Sequence, residues 1–250
     1  MKTRRKQIMF EQLEQIYEVD PERVYFDTRY SIPGMITHYQ DAVLRHTAAF
    51  ELDRKVIFAK YNVYWVIAKL HINIHSYPMV DDKVKLVTYP LKPMFVKFER
   101  ECGIYKGEEL CVEFCTEWCL VDGDTKRIRR ADSIAYPPLW FKDRQFTDDY
   151  CRFVSPAIGE ENYMFSHRVA LNDLDLNIHM NNISYVRLAM NTLTDKEYTS
   201  YAIKTFDIRF RAQTYFGDNI NIFRKNGFGE IFIVGKKDDG TVVFEVRMTY

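Results

Sequence analysis

Glycine is scarce in this 250-residue chain, with 10 residues, which fits badly with glycine-rich loops that cradle phosphates or with repeated tight solenoid turns. Neither sign of charge is in excess, since 35 Lys and Arg balance 35 Asp and Glu. That balance argues against a strongly basic nucleic-acid binder and leaves only local patches to attract a charged partner. No apolar run approaches the ~20 residues of a membrane-spanning helix, so no membrane span is expected. Cysteine is limited to Cys102, Cys111, Cys115, Cys119 and Cys151, an odd number with no zinc-knuckle or thioredoxin spacing. Cys111, Cys115 and Cys119 would share a helix face. Their neighbours Leu110, Val112, Phe114, Trp118 and Leu120 share one strand parity, so a strand is expected there and a metal is not. Reduced thiols and a cytoplasmic location follow.

What is present is the composition of a globular protein: 47% hydrophobic and 28% charged residues, with 17 Tyr and 18 Phe suited to sheet surfaces. The basic start, Met1 to Lys6, resembles a signal-peptide n-region. Gln7 to Glu18 follows with Glu11, Glu14 and Glu18 and no apolar core, so residues 1–20 read as a solvated or loosely docked leader.

The rest reads as a duplication. Val24 to Ile32 and Tyr163 to Leu171 are strand-like runs that open two halves. Each is followed by an amphipathic helix: Ile36, Tyr39, Val43, His46 and Phe50 in the first, Ile183, Val186, Met190 and Leu193 in the second. Long strands come next, with Asp82 and Asp218 at matching places. Turn signals at Lys106-Gly107, Asp122-Gly123 and Asp239-Gly240 separate further strands. One apolar helix stripe per half must bury against a sheet, so the fold expected is α+β: a curved antiparallel sheet around a central helix, twice. The boundaries expected are 21–135, a linker at 136–160 containing Pro137, Pro138 and Pro156, and 161–250.

One segment carries chemistry. Asp173-Leu-Asp-Leu-Asn-Ile-His-Met-Asn-Asn182 packs three Asn, two Asp and one His into ten positions at a helix entry. A helix start offers unpaired N–H groups and a positive dipole end, suited to an oxyanion and to a neutral imidazole. In an extended chain Asp175, Asn177 and His179 would all point one way. Asn and Asp also favour caps and turns for local reasons. Against that simpler explanation stands the first half, which at the place taken as equivalent, Ser31 to Tyr39, lacks the Asp-Asn-His series. His71 and His75 share a strand parity without a visible third metal ligand.

The segment resembles the D-x-N-x-H-x-N-N signature of acyl-[acyl carrier protein] thioesterases, tandem hot-dog enzymes. Trp65 to Leu70, His75 to Pro78, Val84 to Pro90, Trp118 to Val121 and Thr125 to Arg130 are similar to that family's first domain, and the likeness covers about residues 20 to 250. It implies two tandem hot-dog domains, catalytic roles for Asp175, Asn177 and His179, and hydrolysis of fatty acyl-carrier thioesters to free fatty acid. No metal or diffusible cofactor is implied, because the phosphopantetheine arm arrives with the acyl carrier protein. The family's acidic residue before the Gly-Asp turn falls at Gln213, which can orient a water but not act as a base. A nucleophilic cysteine is disfavoured because no Cys is near the motif.

The basic run Lys126, Arg127, Arg129 and Arg130 is a solvated face or a docking patch for the acidic carrier. A monomeric pseudo-dimer or a homodimer is expected. The rival readings are an acyl-CoA thioesterase, a hydro-lyase, and a non-catalytic acyl-thioester-binding protein on the same scaffold; fold alone does not choose among them.

Overall fold

The structure, a computed structural model, describes residues 11–136, 141–200 and 202–250. The basic start of the chain and the Pro137–Pro138 pair expected in the linker lie outside the described residues. Two compact units emerge. Unit 1 comprises residues up to Leu70 and His75–Asp148; unit 2 comprises His71–Ile74 and Asp149–Tyr250.

Unit 1 contains β1 (Leu13–Glu18), α1 (Ile32–Ala49), α2 (Arg54–Tyr61), β2 (Val63–Ile74), β3 (Lys83–Pro90), β4 (Phe98–Lys106), β5 (Glu109–Asp122) and the short β6 (Ile128–Arg129). The last four residues of β2 belong to unit 2. The sheet runs β1-β3-β4-β5-β2, with β6 attached to β5. Helix α1 is capped by Ser31, whose hydroxyl accepts the Gly34 amide at 3.1 Å. Its stripe of Met35, Ile36, Tyr39 and Val43 is buried. Tyr39 stacks on Phe114 at 5.1 Å and its hydroxyl bonds Thr116 Oγ1 at 2.6 Å, so the helix is seated on β5. Each such fully buried side chain contributes about 1.5–3 kcal/mol.

Unit 2 repeats the plan with β7 (Tyr163–Arg168), α3 (Asn182–Met190), α4 (Asp195–Ser200), β8 (Thr205–Phe210), β9 (Asn219–Asn226), β10 (Glu230–Lys237) and β11 (Val242–Thr249). Its sheet order is β8-β11-β10-β9-β7. Among the described residues no helix is long and apolar enough to cross a membrane.

The repeat can be followed bond by bond. Val19 N donates to Asp82 O and Val169 N to Asp218 O, both at 2.9 Å. Asp82 pairs with Lys106 and Asp218 with Lys237, both at 2.8 Å. These matches correct the expected register. The strand that opens the first half is not Val24 to Ile32 but Leu13–Glu18, inside the supposed leader, and it pairs antiparallel with β3. The misleading charges are explained by the pleat: Glu14 and Glu18 alternate onto the exposed face of an edge strand while Leu13 and Tyr17 turn inward. Residues 24–30 form a tight loop instead, closed by a Val24–Tyr30 bridge, with Thr28 left-handed at φ 66°. The counterpart of Leu171 to Asn182 is therefore Pro21 to Ile32, not Ser31 to Tyr39.

The connector is fastened to each unit by a buried carboxylate. In unit 1, Glu101 accepts Tyr89 OH and Gln145 N, both at 2.8 Å, and Phe146 N at 3.1 Å. In unit 2, Asp207 accepts Cys151 N at 3.0 Å and bonds His71 Nδ1 at 2.8 Å. His71 is thus tied to a carboxylate, and His75 pairs likewise with Glu113 at 2.9 Å.

Candidate active site

The segment 173–182 is not extended. Asp175 N donates to His179 O at 2.8 Å and Ile178 N to Asp175 O at 3.1 Å, which folds residues 175–179 into a closed loop. Ile178 takes the left-handed conformation, φ 63°, that the loop requires. The Asp175 carboxylate fills the loop: Oδ1 accepts Asn177 N at 2.7 Å and His179 N at 3.4 Å, and Oδ2 accepts the Asn177 side-chain amide at 3.2 Å. This is an Asx turn. It overturns the picture of three polar groups aligned by strand alternation: Asp175 and Asn177 bond to each other, and the Asp175 side chain holds the turn that presents His179.

The loop also precedes the helix. Helix α3 begins at Asn182, and Asn181 is its N-cap, accepting Ile183 N at 2.9 Å. His179 therefore lies outside the first turn, where the dipole effect falls away.

Three anchors hold the loop. Asn181 N donates to Asp173 O at 2.7 Å. The Asp173 carboxylate accepts Ala170 N and meets His167 Nε2 on β7, both at 2.8 Å. Met180 N donates to Thr214 O at 3.0 Å, which binds the loop to the segment after β8. His179 and Gln213 are thus each one residue from a shared hydrogen bond. The Tyr215 ring lies 5.0 Å from that of His179. The loop presents its apolar members outward, with Leu176 82% and Ile178 70% exposed.

The same loop in unit 1 has different contents. Tyr25, Asp27 and Arg29 stand where Asp175, Asn177 and His179 stand, and Tyr77 stands where Gln213 does. Arg29 Nε is paired with Asp27 at 2.6 Å and its guanidinium covers the Tyr77 ring at 5.0 Å. The Tyr25 hydroxyl accepts the Ile32 amide at the helix start, at 3.2 Å. The shorter Asp175 turns back into its own loop, so the matching amide, that of Asn182, has no such cap.

The basic run is largely spent within the chain. Arg129 pairs with Asp122 at 2.7 Å, Arg130 with Asp132 at 3.0 Å, and Lys126 Nζ donates to Gly123 O at 2.6 Å. Backbone and side-chain bonds from Thr125, with the Arg129 ion pair, hold the Asp122 carboxyl well below its ordinary value. Arg127 is exposed and has no acidic partner among the described residues.

Sequence reasoning gave no role to Asp173, His167, Tyr185, Thr214 or Tyr215. Aligning the halves with the corrected register would have flagged two of them, because Tyr185 faces Met35 and Thr214 faces Pro78 in that alignment.

Residues 11–135 match the family model described as the acyl-ACP thioesterase N-terminal domain, and residues 158–248 match that of the C-terminal domain. The oleoyl-acyl carrier protein thioesterase of Coriandrum sativum is 21% identical over 173 residues, 65% of this chain and 47% of that protein. The dodecanoyl-[acyl-carrier-protein] hydrolase of Cinnamomum camphora is 22% identical over 223 residues, 79% of this chain and 53% of that protein. The chain spans about half the length of these curated relatives. Among solved structures, an acyl-ACP thioesterase from Bacteroides thetaiotaomicron superposes with a TM-score of 0.84 at 17% identity, covering 100% of this chain and 99% of that one. The 12:0-ACP thioesterase from Umbellularia californica gives 0.83 at 18% identity, over 95% and 96% of the two chains. These likenesses identify the tandem hot-dog fold.

Proposed function

The chain belongs to the acyl-ACP thioesterase family, and we propose on that footing that it hydrolyses the thioester joining a fatty acyl chain to acyl carrier protein. The observation that carries this reading is the contrast between two loops of one backbone plan. In unit 1 the loop carries the Arg29–Asp27 ion pair; in unit 2 it carries the His179 imidazole and the Asn177 side-chain amide on the turn that Asp175 holds.

In the proposed reaction His179 takes a proton from a water whose oxygen bonds to the acyl carbon. The resulting oxyanion is met by the Asn177 side-chain amide, which keeps one N–H free of Asp175, and by the Asn182 backbone amide. Collapse breaks the C–S bond, and the imidazolium returns its proton to the leaving pantetheine thiolate. The products are a fatty acid and the carrier thiol. Asp175 holds the loop, and Gln213 orients the water. No metal or diffusible cofactor belongs to this reading, and its setting is cytoplasmic.

Two outcomes follow. Gln213→Ala lowers kcat less than His179→Ala does, while Gln213→Glu matches or exceeds the parent; equal losses from the two alanine variants would return Gln213 to a central role. For the carrier, kcat/KM on acyl-ACP falls as salt rises toward physiological strength, where the Debye length is ~8 Å. Arg127→Glu flattens that slope more than Arg129→Glu or Arg130→Glu, whose cations already have partners. Hydrolysis of a matched acyl-CoA barely changes, because docking is touched and chemistry is not. The assay is thiol release from acyl-ACP and acyl-CoA of equal chain length across a salt series. A uniform preference for acyl-CoA would favour the CoA thioesterase instead.

A further inference from the structure

Beneath the loop lies a buried polar node. The Tyr185 hydroxyl, on α3, accepts Thr214 N at 3.2 Å and bonds Thr214 Oγ1 at 2.8 Å. Thr214 is fully buried and Tyr185 is 3% exposed. The Tyr185 ring is wedged between Phe210 at 5.9 Å and Phe244 at 5.6 Å, so its hydroxyl has little freedom. Burial raises its pKa to about 12, which keeps the phenol protonated and able to donate to Oγ1 while accepting from the amide. Thr214 then passes the constraint on through its carbonyl, which accepts Met180 N at 3.0 Å.

Unit 1 shows what this node is for. Its equivalents of Tyr185 and Thr214 are Met35 and Pro78. Met35 has no hydroxyl and Pro78 has no N–H, so the node cannot form. The backbone bond that closes the loop survives without it, since Tyr30 N donates to Pro78 O at 2.8 Å. The fold therefore manages with an apolar pair at this place. A buried hydroxyl pair is the more demanding solution, because every member must be satisfied. It occurs in the copy with His179 and not in the copy with Arg29.

We propose that Tyr185 and Thr214 are positioning residues that fix His179 relative to Gln213 and Tyr215 through the Met180–Thr214 hydrogen bond. The proposal rests on His179 being the proton acceptor of the thioesterase reaction. Thr214 is flanked by Gln213 and Tyr215 and bonded to the neighbour of His179, so one fixed residue sets the spacing of all three. A shift of about 1 Å in such a constellation is enough to cost roughly 10²-fold in rate.

The test uses the full chain and an acyl-ACP substrate. Tyr185→Phe and Thr214→Val should each lower kcat by roughly 10- to 100-fold with KM within about twofold, and Thr214→Ser, which keeps the hydroxyl, should stay near the parent. In a His179→Ala background Tyr185→Phe should cost nothing further, because its effect passes through His179. A parental kcat in Tyr185→Phe and Thr214→Val, or the same loss in both backgrounds, overturns the positioning role. Full activity in His179→Ala alone overturns the catalytic reading instead, so the two failures are distinct. If Tyr185→Phe does not fold, the Thr214→Val and Thr214→Ser pair decides, since valine keeps the threonine shape, the amide and the carbonyl.

Discussion

His179→Ala is expected to lower kcat for acyl-ACP hydrolysis by roughly 10²- to 10⁴-fold, the range for loss of a general base, while the thermal midpoint stays within a few degrees. The stability half of this expectation comes from the loop. The bonds that close it run through the His179 backbone and the Asp175 carboxylate, both of which survive in the alanine variant. The imidazole loses its packing against Tyr215, a half-exposed ring whose contact adds little. Steady-state kinetics with a parallel thermal melt separates the cases. Normal turnover would remove His179 from the chemistry, and an unfolded variant would mean that its side chain serves the fold.

Asp175 should behave differently, because its work is geometric. Asp175→Ala deprives the amides of Asn177 and His179 of their acceptor and should destabilise the protein by about 1–3 kcal/mol, with kcat falling roughly 10²-fold as the loop loses its shape. Asp175→Asn keeps a carbonyl oxygen aimed at the same two amides. Its NH2 group takes the place of the oxygen that accepts the Asn177 side-chain amide, so it should fall short of the parent while exceeding Asp175→Ala in both kcat and melting temperature. The comparison discriminates between a carboxylate that shapes the turn and one that removes a proton: as a base, Asp175→Asn would be as inactive as Asp175→Ala.

Much of the architecture is legible in the sequence because β-pleat and helix periodicity are local. Strand β7 begins at Tyr163 as the run Tyr163 to Leu171 announces and stops three residues short at Arg168, and both helices bury the stripes read from their spacing except for Leu193, which lies past the end of α3 and is half-buried. The first strand is not legible. Leu13–Glu18 sets Glu14, Ile16 and Glu18 on the outer face of an edge strand, where charge is tolerated, and Leu13, Gln15 and Tyr17 on the inner one, and so mixed a pattern also describes a solvated tail. That miss displaced the register of the repeat and placed the comparison loop on a helix. The site residues lie together in one loop, yet its shape was hidden. Asp175 two residues before Asn177 permits either a strand or an Asx turn, and long-range bonds to Asp173 and Thr214 decide for the turn. The basic run read as one patch because sequence shows charges and not their partners; Asp122 and Asp132 had already claimed Arg129 and Arg130.

The central claim is that the loop at 175–179 in unit 2 turns over acyl-carrier thioesters with His179 as its base. Its most direct measurement follows free fatty acid and carrier thiol with time at an acyl-ACP concentration far above that of the enzyme. The account expects many equivalents of each product per enzyme from the parent chain, in one-to-one ratio, and a rate lower by roughly 10²- to 10⁴-fold from His179→Ala. Tight binding of acyl-ACP with no more than one equivalent of thiol released would contradict it and mark the protein as an acyl-thioester binder.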